Sequence, residues 1–408
     1  VSLGSGFAAI VFVASVAIMI VRQFLHWLRK APAGERAEAT SALARAYLFS
    51  DLSPDDRAAA EGAMLMLLDD PSPLVRRALA DVFAGSRSAP PSIVHALASD
   101  QPDVSVPVLE HSPLLIDADL VDTVATAAAP AQVAVARRAM LPRSVAAAIA
   151  EVGCPAACLA LIENHCAEIA PFSIDRIVER HGHLAVIRET LLARADLPAP
   201  TRQKLVAKLS ETLANFVAAR AWLDPDRAHR VAREACEKAT VALAAESGEG
   251  EVRPLIHHLR VSGQLTAGLV LRALLSGNVS MFEEALAELS GLSLARVCGL
   301  VHDHGGAGFR ALFDRAGLPA ASYPAFREAL TALREGGFTD APGGATRLKR
   351  RMIERVLTRC EQQAIGELEP LLTLLRRFAT EAARDEARLF CEDLVARDRL
   401  AVPELAAA

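Results

Sequence analysis

Apolar residues recur three and four positions apart along most of the chain, and prolines or small polar residues break the pattern at short intervals. That period predicts amphipathic helices, and the breaks predict that the first of them are short. Ser53-Pro54-Asp55-Asp56 has the chemistry of a helix start, with Ser as N-cap, Pro in the first turn and acid beside the positive end of the dipole. Met64, Leu65, Leu67 and Leu68 then supply a buried side. Ser72-Pro73 repeats the signal, Val75, Leu79, Val82 and Phe83 form the stripe, and Gly85 is placed to end it. Pro90-Pro91 opens another short helix through Ile93, Val94 and Leu97.

The segments that begin at Pro73, Pro102, Pro130 and Pro155 align with one another, at intervals of 29, 28 and 25 residues. Between them lie second apolar clusters: Leu120, Val121 and Val124; Val145 and Ile149; Ile174, Ile177 and Val178. A period of this length predicts one helix pair per repeat, each burying its stripe against the next pair. Pro107 falls inside one such helix and is expected near its first turn, where a missing N–H is tolerated.

From Thr201 the helices lengthen. Thr201–Trp222 and Asp224–Glu246 are expected to form an antiparallel hairpin turned at Leu223-Asp224-Pro225, with Leu205, Leu209, Leu213 and Phe216 facing Val231, Ala235 and Val241. The polar stretch 247–251 reads as a hinge. Six short helices follow, with Gly263, Gly277, Gly291, Gly305 and Gly317 near their ends, then a Gly/Pro linker over Thr339–Thr346 and two closing helices, Arg347–Gln363 and Ile365–Arg397. The expected fold is all-α: an α-solenoid of short helix pairs, then a helical hairpin and a C-terminal helical domain. The expected segments are 1–21 (apolar), 22–190 (HEAT-like repeats), 191–250 (hairpin), 251–340 (second helical region) and 341–408 (linker and C-terminal helices).

Composition supports helix throughout: 52% of residues are apolar but only 4% aromatic. A net charge of −5 gives no global attraction to nucleic acid. Seven scattered cysteines suit a reducing compartment better than a disulfide framework. From Ser2 to Val21 there is no charge, and Arg22, His26, Arg29 and Lys30 follow at once. As one transmembrane helix this run would leave the body in the cytoplasm. Met19, however, begins an amphipathic stretch through Ile20, Val21, Phe24, Leu25 and Leu28, so a start at Met19 leaves a cytoplasmic protein without the anchor.

Residues 36–334 resemble a bacterial family known only as domain of unknown function 2336. The resemblance lies in Glu35–Ala39 with Ala44–Tyr47, in Asp70–Leu79 (Asp-Pro-Ser-Pro-Leu-Val-Arg-Arg-Ala-Leu) and in Ile93–Asp100. Val108–Glu110, Val133–Arg138, Ser262–Thr266 and Leu271–Leu274 extend it. It implies helical repeats of the HEAT-like or leucine-rich-variant type and a start near Met19. It implies no activity and no functional residues.

Candidate chemistry is sparse. Cys154, Cys158, His165 and Cys166 are the residues most like metal ligands, since thiolates with an imidazole suit Zn²⁺, although the spacing is not that of a common zinc finger. His302, Asp303 and His304 sit beside a Gly-rich turn, where acid–base work is conceivable. His257-His258 and His181-Gly182-His183 are weaker versions of the same pattern. No phosphate-binding, zinc-protease or nucleophile-elbow motif occurs, so no cofactor and no enzyme activity are expected. Arg347, Arg351, Arg355 and Arg359 lie four apart on one predicted face. The pairs Arg76-Arg77 and Arg137-Arg138 recur in register and are the expected contact surface, with Arg351 and Arg355 as a second patch. The expected function is a non-enzymatic protein-binding scaffold or adaptor. The alternative is a signalling regulator that dimerises through residues 201–246. The expected partner is a protein or peptide, with a homodimer as the second reading. Nucleic acid is not expected, and membrane contact only through residues 2–21.

Overall fold

The computed structural model describes residue 27 and residues 30–194, 196–248, 250–303, 306–336, 344–362 and 369–405. The apolar run at 2–21 lies outside them. The described residues form twenty-one α-helices and one 3-10 turn, and no strand occurs among them, so the fold is all-α. No single described helix is long and apolar enough to cross a membrane. The chain divides into two compact units, Val1–Ala195 and Asp196–Ala408, over which the five expected segments are distributed.

The first unit holds α1 (Ala33–Phe49), α2 (Pro54–Leu67), α3 (Pro73–Phe83), α4 (Pro91–Ala98), α5 (Pro102–His111) and α6 (Asp117–Thr126). It continues through α7 (Ala129–Ala136), α8 (Arg143–Val152), α9 (Pro155–Glu163), α10 (Pro171–His181) and α11 (Ala185–Leu192). The prolines explain the starts. Pro54, Pro73, Pro91, Pro102, Pro155 and Pro171 each occupy the first helical position, where the absent N–H has no intrahelical partner to lose. Ser53 caps α2 as its sequence implies, its hydroxyl oxygen accepting the Asp56 N–H at 3.2 Å. The odd-numbered helices pack on one another in order from α1 to α11, and α6, α8 and α10 pack in order as a second row. Val75, Leu79 and Phe83 of α3, Val104 and Val108 of α5 and Leu161 of α9 are fully buried by this stacking.

Backbone polarity in the first unit is satisfied across the rows. Arg138, just past α7, donates to the Leu109 and Ser112 carbonyls at the end of α5 (2.6 and 2.7 Å). Asn164, past α9, donates to the Ala136 and Arg138 carbonyls at the end of α7 (2.9 and 2.8 Å). Arg180 of α10 closes α8 through Ala150 and Gly153 (2.7 and 2.9 Å), and Arg194 reaches Ile162 of α9 at 3.2 Å. These carbonyls belong to the last turns, which have no intrahelical donor. Pro107 lies in the middle of α5, not in its first turn as expected. The N–H it lacks would have bonded the Asp103 carbonyl, and Arg77 of α3 supplies the replacement donor at 2.8 Å.

The second unit opens with a hairpin of α12 (Ala199–Ala219) and α13 (Pro225–Glu246). Asp224 caps α13, accepting the Asp226 N–H at 3.0 Å and the Arg227 N–H at 3.3 Å. Six helices follow: α14 (Val252–Val261), α15 (Ala267–Leu275), α16 (Val279–Ser290), α17 (Leu294–His302), α18 (Ala307–Arg315) and α19 (Tyr323–Gly336). Then come α20 (Gly344–Gln362) and α21 (Glu369–Leu405). One core joins them from Ala199 to Ala382, and α15 is buried along nearly its whole length. At one end of that core Phe282, Phe309, Phe313, Tyr323 and Phe326 pack ring to ring, with centroids 5.3–6.5 Å apart.

Candidate functional site

The arginine pairs expected to form a contact surface are mostly occupied. Arg76 grips the Asp100 carboxylate with two nitrogens (2.5 and 3.0 Å) and donates to the Asp70 carbonyl at 2.6 Å. Arg36 grips Asp70 in the same bidentate way, at 2.9 Å for both bonds. Burial alone would raise the Asp70 and Asp100 carboxyls. The guanidinium and backbone N–H donors outweigh it and hold both below the ordinary aspartate value. Arg77 is spent on the carbonyl freed by Pro107, and Arg138 on the end of α5. Of the four, Arg137 alone is exposed with no polar partner for its side chain among the described residues. These pairs therefore mark joints between neighbouring helices.

The four candidate metal ligands do not converge. Cys154 caps α9, its sulfur accepting the Ala157 N–H at 3.4 Å, and Cys158 is buried with its thiol against the Ile149 carbonyl at 3.5 Å. Burial pushes the Cys158 thiol up to about 11, away from the thiolate that a metal requires. His165 and Cys166 lie exposed in the loop beyond α9. Among the described residues no three His, Cys, Asp or Glu side chains form a metal-sized group. His302 pairs with Glu283 at 3.0 Å, while His304 lies outside the described residues. Glu283 also accepts from Cys298 at 3.2 Å; burial and then this carboxylate push that thiol up to about 11, the reverse of an activated nucleophile. His257 pairs with Glu288 at 3.0 Å, His258 bonds Gln203 at 3.1 Å, and His181 lies 3.5 Å from the Gly153 carbonyl. On α20, Arg351 and Arg359 are exposed and Arg355 is half-buried and engaged; the Arg347 side chain lies outside the described residues.

Two features of the hairpin remain. On one side α12, α13 and the α14–α15 turn enclose a cleft of about 500 Å³, lined by small residues such as Ala207, Ala214 and Ala232, with Cys236, Glu237 and Gln264 among its polar groups. Burial raises Glu237 above the ordinary glutamate value. Its nearest described cation is Arg272, with Nε 3.9 Å away. Arg272 is itself sunk in the core, donating to both Glu381 oxygens (2.8 and 2.7 Å) and lying 4.2 Å over the Phe378 ring. Lys238 completes this charged layer through Asp385 at 2.8 Å, and Arg377 pairs with Glu234.

On α12, Leu209, Leu213, Phe216 and Arg220 are spaced 4-3-4, so they share one stripe; on α13, Arg227, Val231 and Ala235 do the same. Counting 100° per residue sets both stripes roughly opposite the positions that line the cleft. Leu209, Leu213, Phe216 and Val231 were expected to face one another across the hairpin. They are instead 36%, 52%, 46% and 50% exposed, and Trp222 at the turn is 63% exposed. Smaller residues, Ala214 and Ala228, are the buried ones in this part of the hairpin, which leaves the large side chains outside. The turn fixes its own aromatic pair: Ala221 takes a left-handed φ of 53°, a conformation that disfavours any Cβ, and Trp222 meets Phe216 edge-on at 5.8 Å. Arg220 lies over both rings, 4.5 Å from Phe216 and 5.5 Å from Trp222.

A family model described as an uncharacterised protein conserved in bacteria, DUF2336, matches residues 104–366. No curated protein and no solved structure matches the chain. With well over half its length matched, the chain belongs to the DUF2336 family.

Proposed function

We propose that this DUF2336 member is a non-enzymatic adaptor that binds a partner protein through the exposed stripe of its α12–α13 hairpin. In this reading the first unit is an α-solenoid and serves as a stiff frame, its polar joints turned inward on itself. One observation carries the proposal: Leu209, Leu213, Phe216, Trp222 and Val231 stay open to solvent together on one stripe and its turn, whereas most large apolar side chains from Leu255 to Phe378 are buried, with Val261, Leu294 and the α21 residues Leu389, Phe390, Leu394 and Val395 exposed elsewhere in the unit. Together they present roughly 400–500 Å² of side-chain surface, the size of patch that marks a binding site on a monomer. The strained backbone at Ala221, which holds the aromatic pair at the tip, fits a site that is kept in shape before a partner arrives.

The test is a full-length chain carrying Leu213→Glu and Phe216→Glu. Both sites are already half exposed, so the unfolding midpoint should stay within about 0.5 kcal/mol of wild type. Quantitative affinity purification from the source cell should show partners lost from the variant. Identical partner sets for the two chains would refute the docking role. A regulator that dimerises through this hairpin would use the same stripe. Light scattering separates the two, since dimerisation predicts a doubled mass that the same substitutions abolish.

A further inference from the structure

Given that docking face, the charges around it specify what occupies it. Arg220 ends the α12 stripe, Arg227 lies on the α13 stripe, Arg230 borders Val231, and Lys208 adjoins Leu209. All four cations are exposed or half exposed, and Arg227 and Arg230 make no ion pair with a described residue. Of the nearby acids, Asp226 is exposed beside Arg227 and one turn from Arg230, and the others are engaged. Asp224 caps α13 through two backbone N–H groups, Glu234 is held by Arg377, and Glu211 belongs to the cleft side, where it pairs with Lys208 at 3.4 Å. At the tip Arg220, Arg227 and Arg230 outnumber the carboxylates of Asp224 and Asp226, so the apolar strip has a net positive edge.

A second copy of the chain, packed with the tips together, matches that edge badly. Two hairpins so placed set Arg220, Arg227 and Arg230 against their own counterparts. Positive then meets positive, and like charges facing each other across an interface disfavour the pairing. We infer that the hairpin stripe docks an amphipathic helix from another protein, whose apolar face lies on Leu209, Leu213, Phe216 and Val231 and whose flanking Asp or Glu residues meet Arg220, Arg227 and Arg230. A helix laid on two antiparallel helices presents anchors at i, i+3, i+4 and i+7, which suits the 4-3-4 spacing of the α12 stripe.

The experiment uses the full chain with Trp27→Phe, so that Trp222 is the sole tryptophan and its emission reports the stripe. The probes are a synthetic helical peptide of about 18 residues, long enough for five turns, with Leu at those anchor positions and Glu at the borders, and a twin with Lys at the borders. The acidic peptide should shift the emission to the blue and bind at least about tenfold more tightly than its twin. The preference should invert in Arg227→Glu/Arg230→Glu and vanish with all binding in Leu213→Glu. Equal binding of the two peptides would overturn the charge inference while leaving the docking face standing. No binding of either peptide would overturn the inference, and an unchanged partner set in the stripe variant would remove the docking face as well. A blue shift on vesicles of equimolar phosphatidylcholine and phosphatidylglycerol that exceeds the peptide's would point to a lipid surface and sink it. So would a doubled mass by light scattering that Leu213→Glu reverses.

Discussion

In the first unit Arg138 is half-buried against the end of a neighbouring helix, its terminal nitrogens on two backbone carbonyls. In the second unit Arg272 is buried more deeply, but its partners are side chains: Glu381, Glu237 and the Phe378 ring. Its Nε, like that of Arg138, has no hydrogen bond among the described residues, so the two differ in the kind of partner and not in how fully they are satisfied. The contrast follows from how each unit obtains its core. Short stacked helices expose many termini per residue, and each terminus carries carbonyls that need donors. The second unit, with its long hairpin and long closing helices, instead buries a layer of charged side chains beside an aromatic core.

The contrast sets an order of effects. Removing an aromatic anchor of the second unit should cost most: Phe313→Ala opens a cavity at the ring cluster and should destabilise that unit by about 4 kcal/mol. Hydrogen-exchange protection should fall across residues 252–336 and persist in residues 73–163. Arg138→Ala should do the opposite, stranding the Leu109 and Ser112 carbonyls at a cost of about 3 kcal/mol, visible as lost protection over residues 102–136. If both variants unfold the whole chain in one transition, the two units are not separately stabilised.

A finer effect lies in α5. Arg77→Ala should cost about 1 kcal/mol, because Pro107 leaves the Asp103 carbonyl with no other donor. In a Pro107→Ala background the restored N–H takes that carbonyl, and the same Arg77→Ala change should cost close to nothing. A double-mutant cycle by urea denaturation measures the coupling, and additive values would break the link.

The smallest effect has the opposite sign. Burial holds the Glu237 pKa above its unfolded value, so its contribution is most favourable below about pH 4.3 and is lost as pH rises through the folded value. Glu237→Gln should therefore raise the stability of the second unit at neutral pH, by less than about 1 kcal/mol, with the gain vanishing near pH 4. In the first unit the depressed Asp70 and Asp100 carboxyls act the other way. Their stabilisation is present above about pH 3.9 and is lost as pH falls through their lower folded values. Acid titration of exchange protection, unit by unit, should separate the two signs.

Much of the helical framework is legible in the sequence because caps and prolines act within four residues. Ser53, Pro73, Pro102, Pro155 and Asp224 sit at the starts they predict, and Gly263, Gly277, Gly291 and Gly317 follow their helices with φ near +70°. What the sequence hides is the partner of each polar group. Arg76 meets Asp100 from 24 residues away and Lys238 meets Asp385 from 147 away, distances over which no local period carries information. The stripe on α12 shows the same limit. A 4-3-4 spacing announces an apolar face, but whether that face is covered depends on the size of its neighbours. Here Ala214 and Ala228 take the seam, and Leu213 and Phe216 are left outside.

The joints made by Arg138, Asn164, Arg180 and Arg194 all run backwards, from a residue to carbonyls 26–32 positions earlier in the chain. As the polypeptide leaves the ribosome, each of these helices remains unfinished until the next pair has emerged to close it. A chain cut between these joints therefore leaves its last helix with open carbonyls.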